Sequence, residues 1–133
     1  MPAFFDSNVV LYLLSQDESI SDRCESLIAA GGVVSVQVLN ECANVMLKKL
    51  RMDHEEIVEF LSVIKNICDV VPLSLDTHDN ALDLITRYNF SWYDSLIVAS
   101  ALESNCTLLW SEDMQDGLVV DKVLTVKSPF GTP

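Results

Sequence analysis

The chain has 133 residues, half of them hydrophobic, and sets twenty acidic side chains against eight basic ones for a formal charge of -12. Its length suits one domain with a sizeable core over residues 1–133. No run approaches the ~18 apolar residues that span a bilayer, and MPAFFDSN lacks signal-peptide anatomy, so the expectation is a soluble cytoplasmic protein with no membrane partner. The charge argues against a broad cationic groove that grips phosphates. Four cysteines, at 24, 42, 68 and 106 and never paired as CxxC, argue for reduced, buried thiols rather than disulfides or zinc.

In chain order, AFF at 3–5 reads as a short strand ending at Asp6, with VVLYLL helical immediately after it. Ser21 starts a second helix that stops at Gly31-Gly32. Val33 to Ser35 reads as a buried strand, and Gln37 to Lys49 as a helix whose apolar stripe uses Val38, Leu39, Cys42, Val45 and Met46. Asp53 caps a further amphipathic helix that carries IVEFLSVIKNI. Asp69 to Leu75 is expected as a strand broken by Pro72, and Thr77 to Tyr88 as a helix capped by Thr77. SWYDSLIVASAL at 91–102 follows, then the strand CTLLW at 106–110, the polar turn SEDMQDG, a final strand within Lys122 to Val126 and a tail containing Pro129 and Pro133. Strands alternating with helices point to a mostly parallel sheet covered on both faces. In that architecture function gathers at the carboxyl edge of the strands, where helix N-termini converge.

SWYDSLIVASAL poses a question, because a helix apolar on nearly every face belongs inside a protein, where a lone carboxylate such as Asp94 is unfavourable. Taken singly, each acid has a structural explanation. Asp6 is a good N-cap, Glu41 sits at the border of an apolar stripe where acids are usually solvated, and Asp94 stands three residues after Ser91 at capping-box spacing. Asp113 and Asp116 belong to a turn. The set says more, since four separate segments each deliver a carboxylate where a strand ends or a helix begins. Crowded carboxylates repel unless cations intervene, and hard cations such as Mg²⁺ or Mn²⁺ prefer oxygen ligands.

FFDSNVVLYLL, VLNECANVMLKK, SWYDSLIVASAL and LLWSEDMQDG resemble, in order and over about residues 3–126, the four acidic motifs of the PIN-domain ribonucleases, and most nearly the VapC-type toxins of bacterial toxin-antitoxin pairs. The resemblance implies an α/β fold, a three-layer α/β/α sandwich with strand 1 at the centre of its parallel sheet. It implies a quartet of Asp6, Glu41, Asp94 and Asp113 holding one or two Mg²⁺ or Mn²⁺ ions, with Asp116 as an auxiliary acid. Ser7, Asn8 and Ser111 would orient the acids through hydrogen bonds. The implied activity is hydrolysis of RNA to a 5′-phosphate and a 3′-hydroxyl. The implied partners are a cognate antitoxin, its helix in a groove between the helix at 21–30 and the one that carries IVEFLSVIKNI, and a second copy of the chain in a homodimer.

Other readings remain open at this point. His54 and His78-Asp79 could serve an all-helical HD-type phosphohydrolase, although alternating strands oppose it. A haloacid-dehalogenase-type phosphatase wants Asp-x-Asp, where this chain has Asp6-Ser7-Asn8, and a late lysine, where none lies between Lys65 and Lys122. A non-catalytic scaffold would have no reason to bear the repulsion of four acids. Trp92 and Tyr93 could stack on a base or pack against the core.

Overall fold

Phe4 and Phe5 are neighbours in the chain and both are wholly buried. Successive strand residues point to opposite faces of a sheet, so their strand, β1 (Ala3–Phe5), must be covered on both sides. The computed structural model describes residues 2–131 and supplies that cover; Met1 and the Pro133 end of the expected tail lie outside the described residues. After β1 come α1 (Ser7–Leu11), a 3-10 turn (Tyr12–Leu14), α2 (Glu18–Ala29), β2 (Val33–Ser35), α3 (Val36–Lys48) and α4 (His54–Ile67). Then follow β3 (Asp69–Val71), α5 (Leu75–Tyr88), α6 (Trp92–Glu103), β4 (Leu108–Trp110), β5 (Val119–Val120) and β6 (Leu124–Lys127).

The strands form one sheet in the order β3-β2-β1-β4-β6-β5, parallel except for β5, which runs antiparallel to β6. Chain order reverses between β1 and β4, with β2 on one side of β1 and β4 on the other. The reversal opens a crevice beyond the carboxyl ends of these strands. Register fixes what meets there: Phe5 pairs with Trp110, which sets Asp6 beside Ser111. No helix among the described residues is long and apolar enough to cross a membrane. All four cysteines are free and buried, as expected.

Several boundaries differ from expectation, each for a local reason. Helix α2 starts at Glu18, not Ser21, because Asp17 caps it by accepting Ser19 N–H at 3.0 Å. Strand β3 stops at Val71, ahead of Pro72, which has no N–H to donate to a ladder. Helix α5 begins at Leu75 with Ser74 as its cap rather than Thr77. The two hydroxyls exchange the backbone bonds of a capping box, Thr77 N–H to Ser74 and Ser74 N–H to Thr77, each 3.2 Å. Strand β5 has only two residues, too few for an alternating pattern to register in sequence.

Helix α6 is the innermost, with every residue from Ser95 to Ala101 buried. One glycine is required by contact. A Cβ on Gly32 would lie 2.6 Å from the Ala3 carbonyl oxygen and 2.6 Å from the Phe5 ring, so β2 can enter beside β1 only without a side chain there. Gly32→Ala should therefore cost about 1–3 kcal/mol, the range for forcing atoms into a packed core. The check is the urea midpoint, which should fall with little change in slope.

Candidate metal centre

Asp6 occupies the end of β1 and caps α1, so its position follows from strand register and helix start together. Its carboxylate is 2% exposed. Oδ1 accepts the Ser7 N–H at 2.7 Å; Oδ2 accepts the Ser111 hydroxyl at 2.7 Å and the Asn8 amide at 3.5 Å. Three donors would ordinarily hold a carboxyl low. Burial outweighs them, helped by the charges of Asp94 and Glu41, and raises the Asp6 pKa to about 7. None of the ion pairs found among the described residues reaches Asp6, Glu41, Asp94 or Asp113.

Glu41 lies in the second turn of α3, half-buried. Burial raises its pKa, hydrogen bonds from Ser7 and Gln37 oppose the rise, and Asp94 and Asp113 add to it. Asp94, in the first turn of α6, is also pushed up, by burial first and then by Asp113, while the Ser91 hydroxyl opposes. Ser91 in turn accepts the Asp94 N–H at 3.2 Å. The capping spacing seen in sequence is therefore real, yet it leaves the Asp94 carboxylate within reach of its neighbours' charges. Asp113 is exposed on the turn after β4, and its N–H donates to Ser111 Oγ at 3.2 Å. Ser111 thus joins the most buried acid to the most exposed one through a single hydroxyl.

The fold brings Asp6, Glu41, Asp94 and Asp113 close enough for each to feel at least two of the others, directly or as a source of repulsion. They do not close round one point: no three His, Cys, Asp or Glu side chains among the described residues are arranged to hold an ion. Mutual charge and mutual ligation are different demands. Mg²⁺ usually takes one or two carboxylates and keeps several waters, so it requires no cage of protein ligands. The donor set, all hard oxygens with a buried carboxyl that has no cationic partner among the described residues, fits such a cation in charge and chemistry.

Asp116 stands apart. Its Oδ1 accepts the Ser128 N–H at 2.8 Å, tying it to the tail, and its charge is absent from the influences on Asp6, Glu41 and Asp94. Asn8 reaches both ways, donating to Asp6 and accepting the Glu112 N–H at 3.2 Å. Gln37, buried and close enough to Glu41 to oppose the rise of its pKa, is a site residue that sequence reasoning missed. Its signal was a glutamine one turn before a candidate acid, on the same helix face. His54 is exposed at the start of α4, and His78 packs edge-on against Trp92 at 5.1 Å, so neither histidine joins the acids. Tyr93, unlike Trp92, is 57% exposed.

A mostly parallel α/β sheet with acids near its switch point defines a class of folds rather than one protein. The PIN domain family model matches residues 3–115, and the chain belongs to that family. That membership leaves no place for the haloacid-dehalogenase or HD-type readings. Solved structures share the fold. A toxin-antitoxin complex from Klebsiella pneumoniae superposes with a TM-score of 0.74 at 16% identity, over 98% of this chain and 99% of that one. VapC20 of Mycobacterium tuberculosis, a sarcin-ricin loop cleaving toxin, gives 0.68 at 17% identity over 84% and 89%. VapBC2 of Rickettsia felis, bound to a promoter DNA fragment, gives 0.70 at 17% over 96% and 98%. No curated protein matches the chain.

The raised Asp6 pKa has a signed consequence for stability. Below about pH 4 the carboxyl is protonated folded and unfolded; between about pH 4 and 7 the folded state alone keeps the proton, so stability falls as pH rises through that window. In chelator, wild type should lose melting temperature between about pH 4 and 7 while Asp6→Asn stays flatter and melts higher at the alkaline end, by roughly 4 °C per kcal/mol relieved. Parallel profiles would show that Asp6 is not strained by burial.

Proposed function

We propose that the protein is a metal-dependent endoribonuclease, the toxin of a toxin-antitoxin pair. The observation that carries this reading is Asp6: a residue 2% exposed, whose carboxylate joins none of the ion pairs among the described residues and has other acids around it. A protein gains nothing in stability from that arrangement, which becomes intelligible where a cation is to be recruited to a phosphodiester. Membership in the PIN-domain family supports it, as does the shared fold with toxins of this type.

Asp6 and Asp94 would hold Mg²⁺ or Mn²⁺, with Asp113 contributing to a second, weaker position. Bound there, one or two such ions would acidify a water, orient the phosphate and offset charge on the leaving 3′ oxygen. The chain's own contribution is positional and protonic. Ser111, Asn8 and the Ser7 N–H fix both oxygens of Asp6, so the carboxylate is aimed before anything binds. Glu41, with its pKa raised and Ser7 and Gln37 steering it, is suited to take a proton from the attacking water. Asp116, turned to the tail, has at most an indirect part through the turn that carries Asp113.

Restraint would come from a cognate antitoxin. A cleft of about 270 Å³ runs between α2 and α4, lined by Leu13, Glu25, Ile28, Ala29, Val63 and Ile67, and Val63 and Ile67 are 49% and 40% exposed. Apolar anchors at helical spacing on a partner's helix would fit it, and a charge of -12 would favour a basic extension from that partner. The same reading places the protein in the cytoplasm as a homodimer. Leu75 and Leu82, one face of α5 and 75% and 49% exposed, offer apolar surface for a second copy, which sedimentation equilibrium would weigh.

The central experiment is RNA cleavage with Mg²⁺ or Mn²⁺. Wild type should cut structured RNAs to 5′-phosphate and 3′-hydroxyl ends. Asp6→Asn and Asp94→Asn should each lose about 10²-fold or more in rate while remaining folded by circular dichroism. Cutting that persists in both variants, or in excess chelator, sinks the reading.

A further inference from the structure

Beside Glu41 lies a cleft of about 280 Å³ lined by Gln37, Asn40, Glu41, Asn44 and Tyr93. Its composition is unusual for an empty surface hollow: three side-chain amides, one phenol and one acid of the candidate metal centre, with no aliphatic side chain. Tyr93 is 57% exposed at the first turn of α6, next to Asp94. A second cleft, of about 220 Å³, holds Asp94 and Asp113 on its wall. Glu41 lines the first cleft and Asp94 and Asp113 line the second, with Tyr93 of the first next to Asp94 of the second in the chain, so a strand occupying both would carry its linkage past the acids.

The α3 face supplies direction. Gln37, Glu41, Asn44 and Lys48 recur at helical spacing along α3, a track of about 16 Å from first to last. It ends in Lys48, Lys49 and Arg51, three of the chain's eight basic residues, and none of them takes part in the ion pairs found among the described residues. On a protein of charge -12 this is a local reversal of sign, placed about 10 Å along the helix from Glu41.

We propose that this cleft is a nucleotide-binding subsite that takes one unpaired base of the RNA next to the scissile phosphate. Tyr93 stacks on the base, Asn40 and Asn44 hydrogen-bond its edge, and the Lys48–Arg51 cluster receives the phosphates beyond. The base must be unpaired because both its face and its Watson–Crick edge are engaged, which a duplex does not offer. The amides each present a donor and an acceptor, so they can select among bases, whereas the stacking ring tolerates any of them. The proposal rests on the nuclease reading for its phosphate, and on the cleft alone for its base.

The test uses dye-labelled short ribo-oligonucleotides, single-stranded and duplex, in Mg²⁺ buffer, with cutting blocked by Asp6→Asn. Anisotropy should show tighter binding of the single strands. Adding Tyr93→Ala should weaken that binding roughly 5- to 100-fold, while Tyr93→Phe keeps it and duplex binding hardly moves. Lys48→Ala should lower the slope of log affinity against log salt by about 1. Asn44→Ala should alter the ranking of oligonucleotides differing in one base. In the otherwise wild-type protein Tyr93→Ala should raise KM and leave kcat nearly unchanged, the mark of binding equal in ground and transition states. Single-strand binding and cutting indifferent to Tyr93 and Asn44 overturn the subsite while leaving the nuclease standing. So does a fall from dimer to monomer in Tyr93→Ala, which would make this face a contact between copies. If wild type cuts no RNA yet Tyr93→Ala still loses single-strand binding, the subsite holds and the nuclease reading fails.

Discussion

Everything at the site depends on one unfavourable act of burial, the placement of the Asp6 carboxylate beneath the carboxyl ends of β1 and β4 without a counter-charge. Its depth is not free to vary. Phe4 and Phe5 anchor β1 in the core, and the next residue must emerge where the chain leaves the sheet for α1. The Asp6 N–H donates to the Trp110 carbonyl at 3.0 Å, so the backbone here is still part of the ladder. Three hydrogen bonds satisfy the oxygens geometrically without compensating the charge, which is why burial still prevails and the pKa rises to about 7.

The other acids are placed by different means, and the differences suit different duties. Glu41 and Asp94 ride on helices whose buried faces fix them, half-buried and steered by Gln37, Ser7 and Ser91. Asp113 stands on a turn. That turn is tied down at both ends: Ser111 N–H donates to the Lys127 carbonyl at 3.0 Å, and Gly117 N–H to the Val126 carbonyl at 2.8 Å. The tail adds a further restraint through Ser128, whose hydroxyl bonds Glu112 and whose N–H bonds Asp116. Arg23 fixes the tail in turn, donating to the Pro129 carbonyl at 2.8 Å with its guanidinium over Trp110. Asp116, which looks in sequence like a spare acid, has structural work in this chain of contacts.

Surface features divide along the same line between what the core needs and what it leaves over. Trp92 is held against His78, whereas Tyr93 stays in solvent beside the amides of α3. On α4, Ile57 and Ile64 are buried while Val58, Val63 and Ile67 are left outside. A helix whose apolar width exceeds what its own core covers has surface to share with a partner.

The sequence by itself determined the class of fold and the order of its elements, because periodicity, caps and strand-ending polar residues are local and leave local traces. Even the oddity of Asp94 in an apolar helix was legible, since it needed only the composition of its neighbours. Tertiary structure alone decided which polar groups share a site. Ser111 reaches Asp6 across 105 positions in the chain, and Gln37 and Glu41 meet Tyr93 only once α3 and α6 are packed. It also separated Asp116 from the other acids, as the partner that claims it, Ser128, lies on a tail whose docking no local pattern records. The physical reason is range: hydrophobic period and capping act within a few residues, whereas desolvation and charge repulsion depend on what is near in space.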